Sequence, residues 1–562
     1  MQIKKQLTNL LQQAGVKSDI EFTKPPKSEM GDLAFPCFDL AKVQGKKPNE
    51  VAKEIVDILR SKKSDLVTKV ELAGPYVNFH LNPQILAKLV LQGINKDLGK
   101  HNFGKGKKIM VEFAHPNTHK AFHIGHLRNA ITGESLVRIL ENAGYKVVRA
   151  NYQGDVGMHI AKCLYAIFKY DKDGISNQQK MSLAKRIKYL GDMYARGSQE
   201  FEESETVRVA VGDLNSQIYL QDKAIQEVYK VTRTWSLEYF DKIYQRLDTH
   251  FDRLYFESEV FAKGKEIVLE FLKKGVFKES DGAIIFAGSQ HGLHDRVFVN
   301  SKGYPTYEAK DLALAKLQFK EFKPDRILHV VAREQLGYFQ VMFKALEKTL
   351  PKSQGKEEHL VYGWVSLKEG KMSSRTGQVV LGEWLLDEIE KKILQIMKEN
   401  QVKDKAEVAK KITLAAVKYS FLKTGIANDI KFDMAESIST AGDSGPYLLY
   451  IVARINSILK KAKVKTGKLK IIPKVEVAEK QLLLQLAKFS EVTEESAKTR
   501  NPAKIAQYLF DLAQNFNSFY EKCPVLKAEG DLQVFRVNLI KVVEQVMERG
   551  LYLLGIQTVD EM

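Results

Sequence analysis

Hydrophobic and polar positions alternate with different periods along the chain, and each change of period marks a predicted element. Near the N-terminus, four apolar residues recur at helical spacing: Val51, Ile55, Ile58 and Leu59. Residues 70–81 are strand-like on either side of Gly74 and Pro75, a pair typical of a turn. The glycine- and lysine-rich segment 99–108 follows as a linker. The pattern therefore predicts a small α+β unit over residues 1–104.

A β–turn–α–β pattern comes next. Residues 108–113 form a short apolar strand, Pro116 and Asn117 mark a turn, and residues 123–142 carry apolar positions at helical spacing. Gly144 is a stop signal for this helix, and a second strand begins at 146–150. This succession is how a doubly wound, Rossmann-type parallel sheet begins.

The rest of the chain completes a multidomain α/β prediction. Residues 105–383 are expected to form the catalytic domain, with a charged, mostly helical insertion at about 160–290 and a further core strand at 325–331. From residue 384 onward the pattern is almost wholly helical, and residues 447–461 open a predicted bundle that ends near Leu554. We therefore expect an all-α C-terminal domain over residues 384–562.

Composition narrows the class of protein. The chain has 562 residues and a formal net charge of +18, which favours a polyanionic partner such as a nucleic acid. It has neither an apolar run long enough for a membrane span nor a signal-peptide pattern, so a cytoplasmic protein without a membrane partner is expected. The cysteines Cys37, Cys163 and Cys523 are far apart and form no Cys-x-x-Cys pair, which argues against disulfides and structural zinc and for buried thiols. No metal site is predicted.

The clearest candidate for chemistry is the run from His123 through Ile124 and Gly125 to His126, at the start of the predicted helix. A helix N-terminus attracts phosphate, and two imidazoles one turn apart can donate hydrogen bonds to its oxygens. Gly125 lets a flat base lie against the backbone. A second candidate is the run 371–375 (KMSSR), whose Lys371 could neutralise a leaving pyrophosphate. Each run taken alone is more often a structural helix start or a solvated basic loop.

Together and in this order, the two runs resemble the HIGH and KMSKS signatures of class I aminoacyl-tRNA synthetases. The blocks that carry a resemblance to arginyl-tRNA synthetases are 111–133 (VEFAHPNTHKAFHIGHLRNAITG), 151–157 (NYQGDVG), 304–314 (YPTYEAKDLAL), 331–340 (VAREQLGYFQ), 445–459 and 519–526 (FYEKCPVL). The resemblance implies a Rossmann core that binds ATP with Mg²⁺, and an adenylate intermediate. It also implies ATP contacts from His123, Gly125, His126, Lys371, Met372, Ser373 and Ser374.

Two departures from the family pattern concern the same site. Ser374 stands where the usual signature has a second lysine, and Lys120, three residues before His123, is expected to supply the missing charge. Ala114 and His115 stand where small hydroxyl residues are common, which removes a minor hydrogen bond. The predicted catalytic residues are therefore Lys120, His123, His126 and Lys371.

Arginine recognition needs acidic or carbonyl acceptors and an aromatic face for the guanidinium. Tyr307 and Asp311 are four apart on a predicted helix and so face the same way. By resemblance, Asp311 pairs with the guanidinium, Asn117 and Gln335 hold the other polar groups of the amino acid, and Glu257 is a further acidic candidate. Without the surrounding blocks, a solvated helix face would explain Tyr307 and Asp311.

For tRNA binding, the resemblance points to the C-terminal bundle. Tyr447, Tyr450 and Arg454 share a helical face and could stack on unpaired anticodon bases, although packing between helices is an equal alternative. The lysine-rich segment 460–474 could contact phosphates or be a solvated loop. In the N-terminal block 74–81 (GPYVNFHL), Asn78 is expected to read a base of the D-loop.

The sequence thus predicts a monomeric ATP-dependent arginine–tRNA ligase whose partners are L-arginine, ATP and tRNA(Arg). Three alternatives stay open from the residues. They are a synthetase of the same class for another amino acid such as cysteine, a catalytically weak tRNA-binding or regulatory protein, and a small-molecule nucleotidyltransferase. The lack of a zinc-type cysteine cluster disfavours the first, Ser374 favours the second, and the long helical C-terminus disfavours the third.

Overall fold

The computed structural model describes residues 2–93, 97–171, 175–368, 380–399, 401–464, 466–467, 469 and 471–562. In these ranges no helix is long and apolar enough to cross a membrane. The three cysteines are buried free thiols, as predicted.

The N-terminal unit is α+β, as predicted. Its elements are α1 (Gln2–Gln13), β1 (Leu33–Pro36), α2 (Phe38–Gln44), α3 (Pro48–Arg60), β2 (Val67–Ala73), β3 (Tyr76–Leu81) and α4 (Pro83–Gln92). The three strands form an antiparallel sheet in the order β1-β3-β2. Gly74 takes a left-handed φ of 57° in the turn between β2 and β3, a conformation that glycine adopts without strain.

One detail of this unit differs from the expectation. Helix α3 buries Val51, Ile55 and Leu59, but Ile58 is 41% exposed. Ala52 and Val56 complete the buried stripe, which follows the i, i+1, i+4 spacing of a wide helical face. Ile58 lies off that stripe, so the predicted face was wrong at this position.

The central domain is built on a five-stranded parallel sheet. Its first part contains β4 (Lys108–Glu112), α5 (Ile124–Asn142), β5 (Lys146–Gln153), α6 (Met158–Tyr170), α7 (Ser176–Gln179), α8 (Leu183–Glu203), α9 (Glu205–Leu220), α10 (Lys223–Arg246) and β6 (Arg253–Phe256). Its second part contains α11 (Glu257–Lys273), β7 (Lys278–Ser280), β8 (Ala283–Phe286), β9 (Arg296–Val299), α12 (Tyr307–Glu321), β10 (Arg326–Ala332), α13 (Leu336–Thr349), β11 (Glu357–Tyr362) and β12 (Val365–Leu367).

The strand order of this sheet locates a binding crevice. The order is β11-β10-β4-β5-β6, and every neighbouring pair is parallel. The chain builds outward from β4 through β5 to β6, then returns to the other side of β4 with β10. Ligands bind in such sheets at the carboxyl ends of the strands where the order reverses. The crevice therefore lies beyond the ends of β4 and β10.

The stretch expected as an insertion, about 160–290, also contributes to this sheet. Helices α6 to α10 form its helical part, but β6 pairs in parallel with β5 through Asn151 and Leu254 and their neighbours. Strands β7, β8 and β9 form a separate antiparallel sheet that continues to Val299. An insertion in the strict sense therefore lies between β5 and β6.

Where it is described, the C-terminal part is helical apart from one short strand. Its elements are α14 (Gly382–Ile396), α15 (Lys405–Leu422), β13 (Ile430–Phe432), α16 (Met434–Ser437), α17 (Gly445–Lys461), α18 (Val477–Ala487), α19 (Phe489–Thr499), α20 (Ala503–Lys522) and α21 (Gly530–Leu553). Strand β13 pairs in parallel with β12. Helix α5 is buried on nearly all its faces because it packs between the sheet and this helical part, where Ser135 donates a hydrogen bond to the Leu553 carbonyl.

Candidate active site

The first residues of α5 form a reciprocal cap between two histidines. The Nδ1 atom of His123 accepts from the backbone N–H of Gly125 at 3.1 Å and of His126 at 3.3 Å, and His126 Nδ1 accepts from the His123 N–H at 3.3 Å. The rings are stacked, with centroids 3.7 Å apart. Because each Nδ1 is an acceptor, each neutral ring carries its proton on Nε2. Both histidines thus offer an Nε2–H donor at a helix N-terminus.

Burial keeps these two rings neutral. It lowers the pKa of His123, and the charge of Lys120 lowers it further. Burial also lowers the pKa of His126 well below its ordinary value, with additional contributions from His123, His115 and Lys120. The two imidazoles therefore act as neutral hydrogen-bond donors, and Lys120 supplies the fixed positive charge beside them.

The segment that carries Lys120 is held in an unusual backbone conformation. Ala114, His115 and His119 have φ values of 76°, 47° and 62°, which side-chain-bearing residues rarely adopt. Tertiary hydrogen bonds fix the segment, among them Ala114 N–H to Asn129 Oδ1 at 2.8 Å and Thr118 N–H to the Gly154 carbonyl at 2.9 Å. Strained backbone held by its surroundings is typical of functional sites.

The predicted loop residues Lys371, Met372, Ser373 and Ser374 lie outside the described residues. The chain that follows them returns to the start of α5. The Ile124 N–H donates to the Val380 carbonyl at 2.9 Å, and the Gly382 N–H donates to the Phe122 carbonyl at 2.8 Å. Leu381 forms a β-bridge with His123. Hence the end of this segment is anchored directly beside the histidine pair.

Arg128, which the sequence analysis did not single out, anchors the chain that precedes residues 369–379. It lies on α5, is almost fully buried, and its guanidinium donates to the carbonyls of Gly363, Trp364, Ile426 and Asn428. Gly363 and Trp364 immediately precede β12, which leads to residue 368. Burial lowers the pKa of Arg128 to about 10, so the side chain stays charged at neutral pH. A single helix thus presents the histidines and contacts the chain both before and after residues 369–379.

The predicted arginine pocket lies on the α11–α13 side of the sheet. Tyr307 begins α12 and is 62% exposed, and one turn later Asp311 accepts a hydrogen bond from the Tyr338 hydroxyl. Burial raises the pKa of Asp311 to about 7. A carboxyl group in this state gains most from a cationic partner, because the cation restores its charge.

Asn117 and Gln335 occupy different parts of this region. Asn117 bridges Gly154 in parallel, and a Cβ added to Gly154 would lie 2.1 Å from Asn117 Oδ1 and 3.8 Å from the Glu257 carboxyl carbon. A glycine is thus required at position 154 for the close approach of the Asn117 side chain to the backbone. Gln335 is exposed, on a 3₁₀ turn at the end of β10.

Glu257, the further acidic candidate, forms an ion pair within the protein. Its buried carboxylate pairs with Lys310 Nζ at 3.0 Å. Lys310 in turn lies over the ring of Tyr307, 4.7 Å from its centroid. Glu257 therefore holds the lysine that supports Tyr307. This pairing could not be predicted from the sequence, since it joins the start of α11 to α12.

A second buried titratable side chain, His329, lies close enough to Asp311 to affect its pKa. His329 on β10 bridges Glu112 at 3.0 Å and Glu357 at 2.7 Å, which are on the two neighbouring strands. Burial alone would lower the pKa of His329, but the two carboxylates raise it to about 10. The protonated ring ties three adjacent strands together, at the end of β4, the middle of β10 and the start of β11. Among the described residues, no group of three or more His, Cys, Asp or Glu side chains could hold a metal ion.

The predicted tRNA-binding residues have different environments. Tyr450 is 40% exposed, and Arg454 lies over the ring of Tyr520, 4.5 Å from its centroid. Tyr447 is instead buried, and its hydroxyl accepts from Asn517 Nδ2 at 2.8 Å. This environment favours the alternative of packing between helices for Tyr447, because the helical face it shares with Tyr450 points partly into the bundle. A stacking contact of Tyr447 with a base stays a prediction.

Asn78 is also part of the packed structure. It is 2% exposed, and its amide donates to the Met30 carbonyl at 2.8 Å. In this conformation the amide nitrogen serves the fold of the N-terminal unit, and the amide oxygen has no hydrogen-bond partner among the described residues. The contact of Asn78 with a base stays a prediction.

The parallel sheet and the paired histidines after its first strand define the catalytic domain of a class I tRNA synthetase. A family model described as tRNA synthetases class I (R), catalytic domain, matches residues 87–434. Models of an arginyl tRNA synthetase N-terminal domain and of a DALR anticodon binding domain match residues 1–81 and 448–562.

Individual relatives agree over the whole chain. An arginine–tRNA ligase of Treponema denticola is 35% identical, with 97% of this chain and 95% of the relative covered. One from Borreliella afzelii is 33% identical, with 98% and 96% covered. A solved structure of Thermus thermophilus arginyl-tRNA synthetase matches with a TM-score of 0.83 at 27% identity, covering 99% of this chain and all of that one. The chain belongs to the arginyl-tRNA synthetase family.

Proposed function

We propose that this chain, an arginine–tRNA ligase by family, activates arginine and esterifies tRNA(Arg) in one site between the start of α5 and the pocket of α12. The observation that carries this proposal is the reciprocal cap of His123 and His126 at the crevice of the sheet. It leaves two Nε2–H donors at a helix N-terminus, where phosphate binds most readily.

In the first step, an oxygen of the arginine carboxylate attacks the α-phosphorus of ATP. The bond from that phosphorus to the bridging oxygen of the β-phosphate breaks, and pyrophosphate leaves with both bonding electrons. His123 and His126 stabilise the charge on the phosphate oxygens, with Lys120 and Lys371 neutralising the triphosphate. Gly125 leaves room for adenine, and Met372, Ser373 and Ser374 complete the ATP-binding loop.

In the second step, a hydroxyl of the terminal tRNA ribose attacks the carbonyl carbon of the adenylate, and AMP leaves. No side chain is assigned as general base, because positioning and electrostatics supply large rate factors by themselves. Mg²⁺ enters as the companion of ATP.

For arginine, we assign Asp311 to the guanidinium. Its raised pKa and its hydrogen bond from Tyr338 support this role. Tyr307 offers an aromatic face, and Asn117 and Gln335 hold the α-amino and carboxylate groups. Glu257, which pairs with Lys310, is a further acidic candidate for this pocket.

For tRNA, we assign stacking contacts to Tyr450 and Arg454 in the C-terminal domain. The exposed ring of Tyr450 and the position of Arg454 over Tyr520 support this assignment. We divide the chain into a tRNA-contacting unit at 1–104, a catalytic domain at 105–383 and a helical domain at 384–562. The enzyme acts as a monomer in the cytoplasm.

The test is aminoacylation of total tRNA with each standard amino acid in turn. Arginine alone should be esterified, and His126→Ala should abolish the reaction while leaving tRNA binding intact. Charging of another amino acid would overturn the specificity. Binding of tRNA with no charging would favour the regulatory alternative that the substitution at Ser374 raised.

A further inference from the structure

The hydroxyl of Tyr152 is a buried polar group whose role the fold does not explain. It lies near the end of β5, and its oxygen is enclosed yet has no hydrogen-bond partner among the described residues. Leaving a buried hydroxyl unpaired costs free energy, so such an atom calls for an explanation. Either the position is tolerated as a defect, or a ligand completes it.

The surroundings of this hydroxyl favour a ligand. The Tyr152 ring packs against the apolar cluster that α11, α12 and α13 form on one face of the sheet. Burial raises the pKa of Tyr152 well above its ordinary value. The carboxylates of Glu257 and Asp311 and the hydroxyl of Tyr338 raise this pKa further. The phenol therefore stays protonated beside the carboxyl group assigned to the guanidinium.

The chemistry of the substrate matches this unpaired hydroxyl. A guanidinium has five N–H donors and no acceptor, so it needs several acceptors arranged around it. Asp311 already accepts from Tyr338, which leaves it fewer free acceptor positions. A neutral phenol oxygen at the pocket floor can accept from a further N–H without adding charge.

We propose that Tyr152 is a specificity-determining arginine ligand whose hydroxyl oxygen accepts a hydrogen bond from the substrate guanidinium. This inference rests on the proposed assignment of Asp311. Since the hydroxyl has no hydrogen-bond partner in the part of the chain that the structure describes, its removal should weaken substrate binding without weakening the fold. A residue with a merely structural role would show the opposite behaviour.

The experiment uses the full-length enzyme and compares three variants. Tyr152→Phe should raise the KM for arginine about 10- to 100-fold, the effect of one hydrogen bond to a charged group. The KM for ATP should stay unchanged within the error of the assay. The melting temperature should stay unchanged or rise. Arginine should also protect this variant less against thermal unfolding than it protects the wild type.

Tyr255→Phe is the matched control. Tyr255 is the directly paired residue on β6, and its buried hydroxyl donates to Glu321 at 2.9 Å. Its removal should lower the melting temperature and leave the KM for arginine unchanged.

Asp311→Asn separates the two levels of the argument. If it raises the KM for arginine while Tyr152→Phe does not, the inference about Tyr152 fails and the pocket stands. If Asp311→Asn leaves that KM unchanged, the proposed pocket itself is wrong. A lower melting temperature in Tyr152→Phe with wild-type kinetics would also overturn the inference, because it would reveal a structural hydroxyl.

Discussion

Arg128 on α5 donates a hydrogen bond to the Trp364 carbonyl at 2.7 Å, which links the helix of the histidine pair to β12, the strand that precedes residues 369–379. The same guanidinium also holds the carbonyls of residues 426 and 428. Five N–H donors in a planar fork suit this set of acceptors, and a lysine ammonium cannot reproduce it.

We therefore expect Arg128→Lys to lower kcat for aminoacylation about 100-fold, because small displacements of catalytic groups have effects of this size. It should also lower the melting temperature. Arg333→Gln is the control, since Arg333 donates to the neighbouring Ala427 carbonyl from an exposed position. Steady-state kinetics of both variants check the prediction, and equal losses of kcat would contradict it.

The pKa of Asp311, about 7 in the protein without substrate, predicts a pH dependence of arginine binding. The ionised carboxylate binds the guanidinium, and the protonated form does not. Lowering the pH below 7 should therefore raise the KM for arginine, by up to about tenfold per pH unit. Raising the pH from 7 to 8 should change it little.

Two buried histidines nearby do not titrate in this window, because the pKa of His119 lies at about 3 and that of His329 at about 10. The measurement is the KM for arginine between pH 6 and 8, at saturating ATP and tRNA. Asp311→Asn should have a weak, pH-independent KM. A wild-type KM that is flat over this range would refute the assignment.

The two roles of His123 can be separated by substitution. Asparagine is a good helix N-cap, so His123→Asn should preserve the stability of α5 while it removes the Nε2–H donor. We expect kcat to fall about 100- to 1,000-fold, as for loss of one transition-state donor, with an unchanged melting temperature. His123→Ala should lose both properties. Paired kinetic and thermal unfolding measurements decide this, and a wild-type kcat in His123→Asn would exclude the role in charge stabilisation.

The pattern of the sequence was sufficient for the nucleotide-binding core. The apolar runs of β4, α5, β5 and β10 have unambiguous periods, and the structure confirms all four elements. Strand β6 was not predicted, because it has only four residues and lies between two long helices. Its pairing with β5 is what makes it a strand. Short elements of this kind depend on tertiary contacts that a local pattern does not record.

Residue roles were less predictable than elements. The resemblance to the synthetase family, carried by the two signature motifs and the surrounding blocks, identified His123, His126 and Asp311 as site candidates. It could not foresee the ion pair of Glu257 with Lys310 or the burial of Tyr447, since both depend on which side of a helix meets a neighbour.

Tyr450 and Tyr447 provide a matched test of the tRNA-binding face. Tyr450→Ala should raise the KM for tRNA about 10-fold, the loss of one stacking contact, and leave the KM for arginine unchanged. Tyr447→Phe removes a hydroxyl inside the bundle and should affect only stability. Aminoacylation kinetics with varied tRNA would check this, and a larger effect on the KM for tRNA from Tyr447→Phe would contradict it.

The most direct measurement is a crystal structure of the enzyme with a non-hydrolysable analogue of arginyl-adenylate. The account predicts that one molecule spans the site, with its guanidinium on Asp311 and its phosphate-like linkage within hydrogen-bond distance of the Nε2 atoms of His123 and His126. An analogue bound with its guanidinium away from Asp311, or with its linkage out of reach of both histidines, would contradict it.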